Sequence, residues 1–248
     1  MKPVDQTLLE RRSIRRYERE NISDDDMALI YEAIRNTPTS YNGQQFSVID
    51  ITDQPTKEKL YELTGQKQIK TCNHFLLFLA DFNKIKVLAE HKKVDFPQFT
   101  HTVDGVIVGV VDATLAMMSA LTMAESLGLG TCCIGYARTA APDSVAQLVK
   151  LPQNTFVVCG LAIGVPREMP DLKPKQPLPL VVHHDHYRTD SLLPDLEAYD
   201  EEVQHYNRTR EGAKTTNDWC AHIVSYYREA MSYRMLAALR RRGFDPAQ

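Results

Sequence analysis

The 248-residue chain lacks the sequence signatures of several large classes of protein. It has no Walker A sequence for cradling a nucleoside triphosphate, and Gly128-Leu129-Gly130 does not continue to the third glycine of a dinucleotide fingerprint, because Cys133 stands there. A strong excess of positive charge is also missing, since the net charge is −3. We therefore expect no nucleic-acid partner and no anionic-membrane partner.

Cysteines are few and poorly arranged for cross-linking. The five form no Cys-x-x-Cys pair, and two of them are neighbours that cannot form an ordinary disulfide with each other. This pattern indicates a reducing compartment in which cysteines serve as small hydrophobic residues. The first residues are charged from Lys2 onward and contain no apolar run of the kind found in a secretory signal. We expect a cytoplasmic protein.

Residues 105–124 form the longest apolar run, with Asp112 as the only charged residue. The run is long enough to cross a bilayer. However, a charge near the centre costs about 2.5–3.5 kcal/mol on insertion scales. A helix that is apolar on all faces also suits the centre of a soluble core or a dimer interface. We expect a buried helix and no membrane.

Capping residues and apolar runs predict strands that alternate with helices. Ser23 and three following aspartates favour a helix start, and Gly128 favours a helix end. The pattern predicts an α/β chain in the form of an α+β sandwich, with a core over residues 1–195 and a helical extension over 196–248 in the same domain. The predicted strands are 46–52, 75–80, 131–134 and 155–163. One helix is predicted to end at Glu10, and a second to begin at residue 24. The other predicted helices cover 55–64, 83–93, 103–127, 142–149, 196–209 and 217–241.

Two polar segments have the chemistry of ligand binding. The segment 11–16 carries four arginines and a serine, whose forked donors match phosphate oxygens, although a solvated basic helix end has the same composition. The segment 39–44 places small hydroxyl and amide side chains after a turn, where they can meet the polar edge of a ring system or serve the turn alone.

A third segment, 128–138, has glycines on both sides of a short strand. Glycine lets the backbone approach a flat ligand closely. No Ser-His-Asp or Cys-His arrangement accompanies these segments. His183-His184-Asp185-His186 is a poor metal site because neighbouring side chains point apart. We expect no metal and no catalytic side chain.

The three segments together resemble the nitroreductase family in order and spacing. The resemblance rests on Arg-Arg-Ser-Ile-Arg at 11–15, Pro-Thr-Ser-x-Asn-Gly-Gln at 38–44 and Glu-Ser-Leu-Gly-Leu-Gly-Thr-x-x-Ile-Gly at 125–135. Gly164-Val-Pro and Lys173-Pro-Lys175 continue it. The tail, with Tyr199-Asp200, Arg210, Trp219 and Gly243-Phe244, is similar to the branch of NADPH-dependent oxygen-insensitive nitroreductases and FMN reductases.

The resemblance implies a central sheet flanked by helices, a long interface helix, and FMN bound at a homodimer interface. It assigns the contacts with the phosphate and ribityl group to Arg11, Arg12, Ser13, Arg15, Lys173 and Lys175. It assigns the loop beside the ring to Thr39, Ser40, Asn42 and Gln44, and the glutamine that reaches the flavin to Gln66. The backbone stretch along the ring matches Cys133, Ile134, Gly135 and Tyr136. Gln68, Cys133 and Tyr136 depart from the commoner family residues.

The activity implied is NAD(P)H-dependent reduction of nitroaromatics, quinones or free flavin through FMN, by ping-pong hydride transfer to small-molecule acceptors. Arg210 and Lys214 match positions that hold the 2′-phosphate of NADPH, so we expect NADPH to be preferred, with NADH as the other possible donor. Two alternatives stay open: a dedicated FMN reductase that supplies reduced flavin to a partner, and a non-catalytic flavin-binding redox sensor.

Overall fold

The computed structural model describes residues 1–212 and 214–246. The chain forms two compact units, the first made of Met1–Met169 with Arg234–Gln248 and the second of Pro170–Tyr233. The predicted boundary at residue 195 remains a prediction.

The first unit contains a four-stranded sheet and most of the helices. Its elements are α1 (Val4–Glu10), α2 (Asp24–Arg35), β1 (Phe46–Ile51), α3 (Gln54–Thr64), α4 (Lys67–Thr71), β2 (His74–Asp81), α5 (Asn83–Lys92), α6 (Val103–Ser126), β3 (Gly130–Ile134), α7 (Tyr136–Thr139), α8 (Pro142–Leu148), β4 (Thr155–Gly164) and, near the end of the chain, α12 (Met235–Arg241). The second unit contains α9 (Leu178–Val181), α10 (Leu192–Thr209) and α11 (Trp219–Ala230).

The sheet has the strand order β1-β2-β4-β3, and all three pairings are antiparallel. β2 is buried from Phe75 to Asp81, because helices cover both faces of the sheet. One face packs against α2 and α6, and the other against α3, α4 and α8. This arrangement explains why β2 reads as a continuous apolar run rather than an alternating one.

Side-chain caps fix several helix starts. Ser23 accepts a hydrogen bond from the backbone N–H of Asp26, and Asp53 accepts one from Thr56. Thr102 accepts one from Gly105, which starts α6. Each cap satisfies a backbone donor that the first turn of a helix leaves without a partner.

Helix α6 is buried on one side and exposed on the other. At Gly109 an added Cβ would lie 2.7 Å from the Cβ of Ala80, so glycine permits the close approach of α6 to β2. The opposite side carries a row of exposed apolar residues, here called the α6 apolar stripe: Val103, Ile107, Val111, Leu115 and Met118. By length and composition α6 could cross a membrane, and 39% of its apolar 18-residue stretch is buried within the protein.

The predicted strands and the long helix are confirmed, and the tail differs from expectation. The predicted helix 217–241 is two helices, α11 and α12, separated by a turn in which Ser232 and Tyr233 donate backbone hydrogen bonds three residues back. No glycine or proline stands in residues 231–234 to mark this break. The short helices α4 and α7 were not predicted, because four or five residues carry too little periodicity.

Candidate functional site

The Arg11–Arg16 segment leaves α1 and lies along the edge of the sheet at β3. Ser13 pairs in parallel with Thr131, and the backbone N–H of Ile14 donates to the carbonyl of Thr131 at 2.8 Å. At Gly130 an added Cβ would lie 2.8 Å from the side chain of Ile14. The fold therefore brings the arginine-rich segment against the glycine-flanked strand, as their shared assignment requires.

Two guanidinium groups in this segment have unpaired donors. Among the described residues, nothing accepts a hydrogen bond from the buried Nε of Arg11 or from the buried Nε of Arg12. A buried donor without a partner is costly, and a charged donor suits an anionic acceptor. This pattern fits a bound phosphate.

Glu125, in the last turn of α6, is a buried acid within electrostatic reach of Arg11. Its carboxylate accepts a hydrogen bond from the Thr131 hydroxyl at 2.6 Å. Burial raises the pKa of Glu125 above its usual value, while Thr131, Arg11 and Lys2 lower it in part. The arginine segment therefore has one buried acid close to its positive charges. In the sequence, only its position in the 125–135 motif distinguishes Glu125.

Two glutamines on and beside α4 join this group. The amide of Gln68 donates to the side-chain oxygen of Gln66 at 3.0 Å. Gln68 also bonds the thiol of Cys132, where it partly opposes the rise in pKa that burial causes. Gln68 and Arg15 line one open cleft with further basic residues: Arg16, Lys67 and Arg167. Gln66 therefore lies in the same region as the arginine segment.

The stretch from Cys133 to Tyr136 ends β3 and begins α7. Cys132 is buried and Cys133 is exposed, because successive strand residues point to opposite faces. Gly135 has open space around it, with no atom within 4 Å of an added Cβ. The backbone here is accessible to a flat ligand, whereas at Gly130 it is already covered.

The loop from Thr39 to Gln44 is tied to helix α6. Backbone N–H groups of Ser40 and Gln45 donate to the two carboxylate oxygens of Asp112, at 3.0 and 3.2 Å. The N–H of Gln44 donates to the Thr39 hydroxyl at 3.1 Å. Just before the loop, the hydroxyl of Thr37 donates to Ser119 at 2.9 Å.

Strand register separates this loop from the arginine segment within one chain. Ser13, Thr131, Ile163 and His74 form one row across the sheet, at one end of β2. The loop meets the other end, where the carbonyl of Gln45 accepts from Asp81. At about 3.3 Å per residue β2 is about 23 Å long, and the four strand spacings from β1 to the arginine segment add about 19 Å across. The two groups of predicted ligands therefore lie at opposite corners of the sheet.

The remaining predicted ligands lie in the second unit. Lys173 and Lys175 are exposed in the extended segment before α9. Arg210 follows α10: its N–H donates to the carbonyl of Tyr206, and its guanidinium lies 6.0 Å from the Tyr206 ring centre. The buried Nε of Arg210 has no acceptor among the described residues. Lys214 lies on the same loop and is exposed.

Two profiles of one protein family together match most of the chain. A profile of the nitroreductase family matches residues 8–165, and a profile of the C-terminal domain of that family matches residues 173–246. The chain belongs to the nitroreductase family. This agrees with the resemblance carried by the three polar segments, and the nitroreductase fold, with its antiparallel sheet and long helix, is confirmed.

Similar nitroreductase-family proteins come from several bacteria. The chain is 37% identical over 246 residues to the FMN reductase [NAD(P)H] of Bacillus subtilis, covering 98% of each protein. It is 38% identical over 226 residues to the oxygen-insensitive NADPH nitroreductase of Salmonella typhimurium, covering 90% of each. The structure of the oxidoreductase YcnD from Bacillus subtilis matches with a TM-score of 0.95 at 37% identity, over 100% of both chains.

One solved neighbour was studied with a nucleotide. The NADPH:FMN oxidoreductase of Vibrio harveyi, complexed with NAD⁺, matches with a TM-score of 0.83 at 26% identity and covers 98% of each chain. In this nitroreductase-family chain, the part that the structure describes contains no group of three His, Cys, Asp or Glu residues close enough to hold a metal ion. Within the 183–186 histidine cluster, the ring of His183 packs against the ring of Tyr187.

Proposed function

We propose that the protein is an FMN-dependent NAD(P)H oxidoreductase that reduces nitroaromatics, quinones or free flavin. One observation carries the proposal: the buried Nε donors of Arg11 and Arg12 stand without acceptors beside β3, in a chain of the nitroreductase family. A phosphate monoester supplies the acceptors that these donors lack. The names of the similar enzymes, FMN reductase and NADPH nitroreductase, support the same cofactor and donor.

The residues proposed to hold FMN have distinct tasks. We assign Arg11, Arg15, Lys173 and Lys175 to the phosphate, and Arg12 and Ser13 to the phosphate or the ribityl oxygens. The loop 39–44 and Gln66 are assigned to the ring edge, and the Cys133–Tyr136 backbone to the length of the ring. When bound, FMN supplies the hydride chemistry, while the protein binds and orients it. No side chain is needed as nucleophile or general base. A ping-pong cycle follows if NAD(P)⁺ leaves before the acceptor enters the same site.

We propose a homodimer that is built on the α6 apolar stripe. An exposed row of five large apolar residues on one helix is a surface that soluble proteins cover. The opposite-corner placement of the two ligand groups supports the same assembly, since the separation exceeds the length of one FMN. A partner chain that presents its loop 39–44 to the arginine segment completes the site.

The proposed donor is NADPH, held by Arg210 and Lys214 in the second unit. The unpaired buried Nε of Arg210 gives a phosphate one ready donor. Lys214 adds a point charge without a bidentate fork. We place the enzyme in the cytoplasm, in keeping with its unpaired cysteines.

Kinetics separate the proposed oxidoreductase from its two alternatives. A dedicated FMN reductase uses added free FMN with saturation and releases the reduced flavin. A redox sensor binds FMN tightly and oxidises NAD(P)H negligibly with every acceptor. We expect turnover with nitroaromatics and quinones as well as with free flavin.

Identification of the flavin tests the central proposal. We expect the purified protein to be yellow and to release FMN on acid denaturation, as read by chromatography and absorbance. Release of FAD, or failure of the colourless protein to bind added FMN, would overturn the proposal.

A further inference from the structure

Asp112 is a buried carboxylate in the middle of an apolar helix. Its exposure is 0%, and it takes part in no ion pair among the described residues. A buried charge is costly unless hydrogen bonds satisfy it. Both of its oxygens are satisfied by backbone N–H groups of a single segment, Ser40 at 3.0 Å and Gln45 at 3.2 Å. The Asp112 carboxylate therefore holds the segment from Ser40 to Gln45 at both ends.

The segment that Asp112 holds has unusual backbone dihedral angles. Tyr41, Asn42 and Gln44 have φ values of 54°, 55° and 51°, in the left-handed region. Side chains disfavour this conformation, and three such residues in four positions persist only where the surrounding structure holds them. Apart from those to the Asp112 carboxylate, the hydrogen bonds of the segment are mostly local, such as that from the Gln44 N–H to the Thr39 hydroxyl. Asp112 is thus the anchor that fixes the loop to the rigid helix.

We propose that Asp112 is a positioning residue for the flavin. By holding both ends of the loop, it keeps Thr39, Ser40, Asn42 and Gln44 in the conformation in which they meet the ring. This inference rests on the proposed function. Because the loop serves the partner's site in the proposed dimer, Asp112 also joins the interface helix of one chain to the cofactor of the other.

Asp112→Asn tests the two hydrogen bonds to the loop with little change in side-chain shape. An amide keeps one acceptor oxygen, but its NH2 group faces an N–H, so one of the two backbone donors loses its acceptor. We expect the dissociation constant of FMN to rise at least about ten-fold, which corresponds to about 1.4 kcal/mol. Ser119→Ala is the matched control, because it removes another α6 hydrogen bond to the same region, that with Thr37, outside the left-handed stretch. We expect the control to bind FMN as the wild type does.

Readouts on the FMN-saturated enzyme separate positioning from stability alone. We expect saturated Asp112→Asn to show an altered flavin absorption band, a shifted midpoint potential and a lower kcat. A variant with wild-type spectrum, potential and kcat, and only a lower melting temperature, would show that Asp112 is purely structural and overturn the proposal.

Amide hydrogen exchange on the wild-type protein keeps the proposal testable if the variant does not fold. We expect the amides of Ser40 and Gln45 to exchange slowly, and that of Tyr41, between them, to exchange faster. Fast exchange at the amides of both Ser40 and Gln45 would show that Asp112 does not hold the loop and would overturn the proposal. FMN binding by the wild type is measured in the same series, so that a failure of the proposed function is recognised separately.

Discussion

Neighbouring arginines in the 11–16 segment have different surroundings. The backbone N–H groups of Arg15 and Arg16 both donate to the carboxylate of Glu168, and the Arg16 side chain lies 3.6 Å from the same carboxylate with 80% exposure. Burial raises the pKa of the Cys132 thiol, and the charge of Arg15 partly opposes that rise, which places this charge near β3. The family resemblance assigned Arg11, Arg12 and Arg15 to the flavin site and left out Arg16, and the fold adds the different surroundings of Arg15 and Arg16.

Arg15→Ala tests the phosphate contact at this position. Loss of one charge-assisted hydrogen bond is worth about 1.5–3 kcal/mol, so we expect FMN affinity to fall about 10- to 150-fold. Flavin fluorescence on dilution measures it. Arg16→Ala is the control, and we expect near wild-type affinity because its side chain faces solvent and Glu168. Equal losses in both variants would point to a general charge effect rather than a contact.

Arg210→Ala tests the grip on NADPH. The 2′-phosphate is remote from the hydride and binds alike in ground and transition states, so the effect falls on KM more than on kcat. We expect a several-fold rise in KM for NADPH, with KM for NADH little changed. Steady-state kinetics with both nucleotides measure the ratio, and Arg228→Ala on α11 serves as a control. An unchanged ratio in Arg210→Ala would contradict the assignment.

At the scale of elements, the close packing of Ile14 against β3 requires a residue without a side chain at position 130. Gly130→Ala places a Cβ 2.8 Å from the Ile14 side chain, and overpacking of this kind costs about 1–3 kcal/mol. We expect the melting temperature to fall by about 2–4 °C per kcal/mol.

Gly135→Ala is the matched change on the same stretch. Its φ of −68° and open surroundings accept a Cβ, so the melting temperature of the FMN-free protein should stay as in the wild type. If the flavin lies along this backbone, FMN affinity should nevertheless fall. Unaltered FMN binding in Gly135→Ala would contradict that placement.

Helix α6 gives the test of dimerisation. Leu115→Arg puts a charge in the centre of the α6 apolar stripe, whereas Met117 packs partly against the core and is a less clean position. We expect monomeric or aggregated protein without FMN, measured by sedimentation and flavin content. Val87→Arg on α5, where the valine is exposed but outside the α6 apolar stripe, is the control. A folded, FMN-loaded monomer from Leu115→Arg would contradict the proposed interface.

Element type was predictable where a local signal was strong. β2 has an unbroken apolar run, and α6 has a Thr102 cap and a Gly128 end. The break between α11 and α12 and the grip of Asp112 were not predictable. The partners of Asp112 are backbone groups about 70 positions away, and a backbone donor leaves no trace in the sequence. From the sequence, Asp112 was only an argument against a membrane span.

At the scale of the whole molecule, the buried Glu125 predicts a dependence of stability on pH. Its pKa is raised in the folded protein, so the folded state holds the proton more tightly than the unfolded chain. The stability that this proton contributes is complete below the ordinary pKa of 4.5 and is lost as pH rises through the folded value.

Glu125→Gln isolates this contribution. Glutamine keeps an acceptor for the Thr131 hydroxyl and cannot ionise. We expect the variant to match the wild type near pH 4 and to have the higher melting temperature at pH 7, as measured by thermal unfolding across that range. A wild-type advantage at pH 7 would mean that the ionised carboxylate is stabilised, for instance by Arg11.

In the proposed homodimer, the opposite-corner placement of the loop and the arginine segment would allow complementation between two variant chains. A dimer of one chain with Arg15→Ala and one with an altered Asn42 carries both lesions in one site and none in the other. If the proposed dimer forms, random reassembly of equal amounts of the two variants, at an FMN concentration too low to load either alone, should restore about a quarter of all sites. Two damaged proteins would yield a working enzyme on mixing.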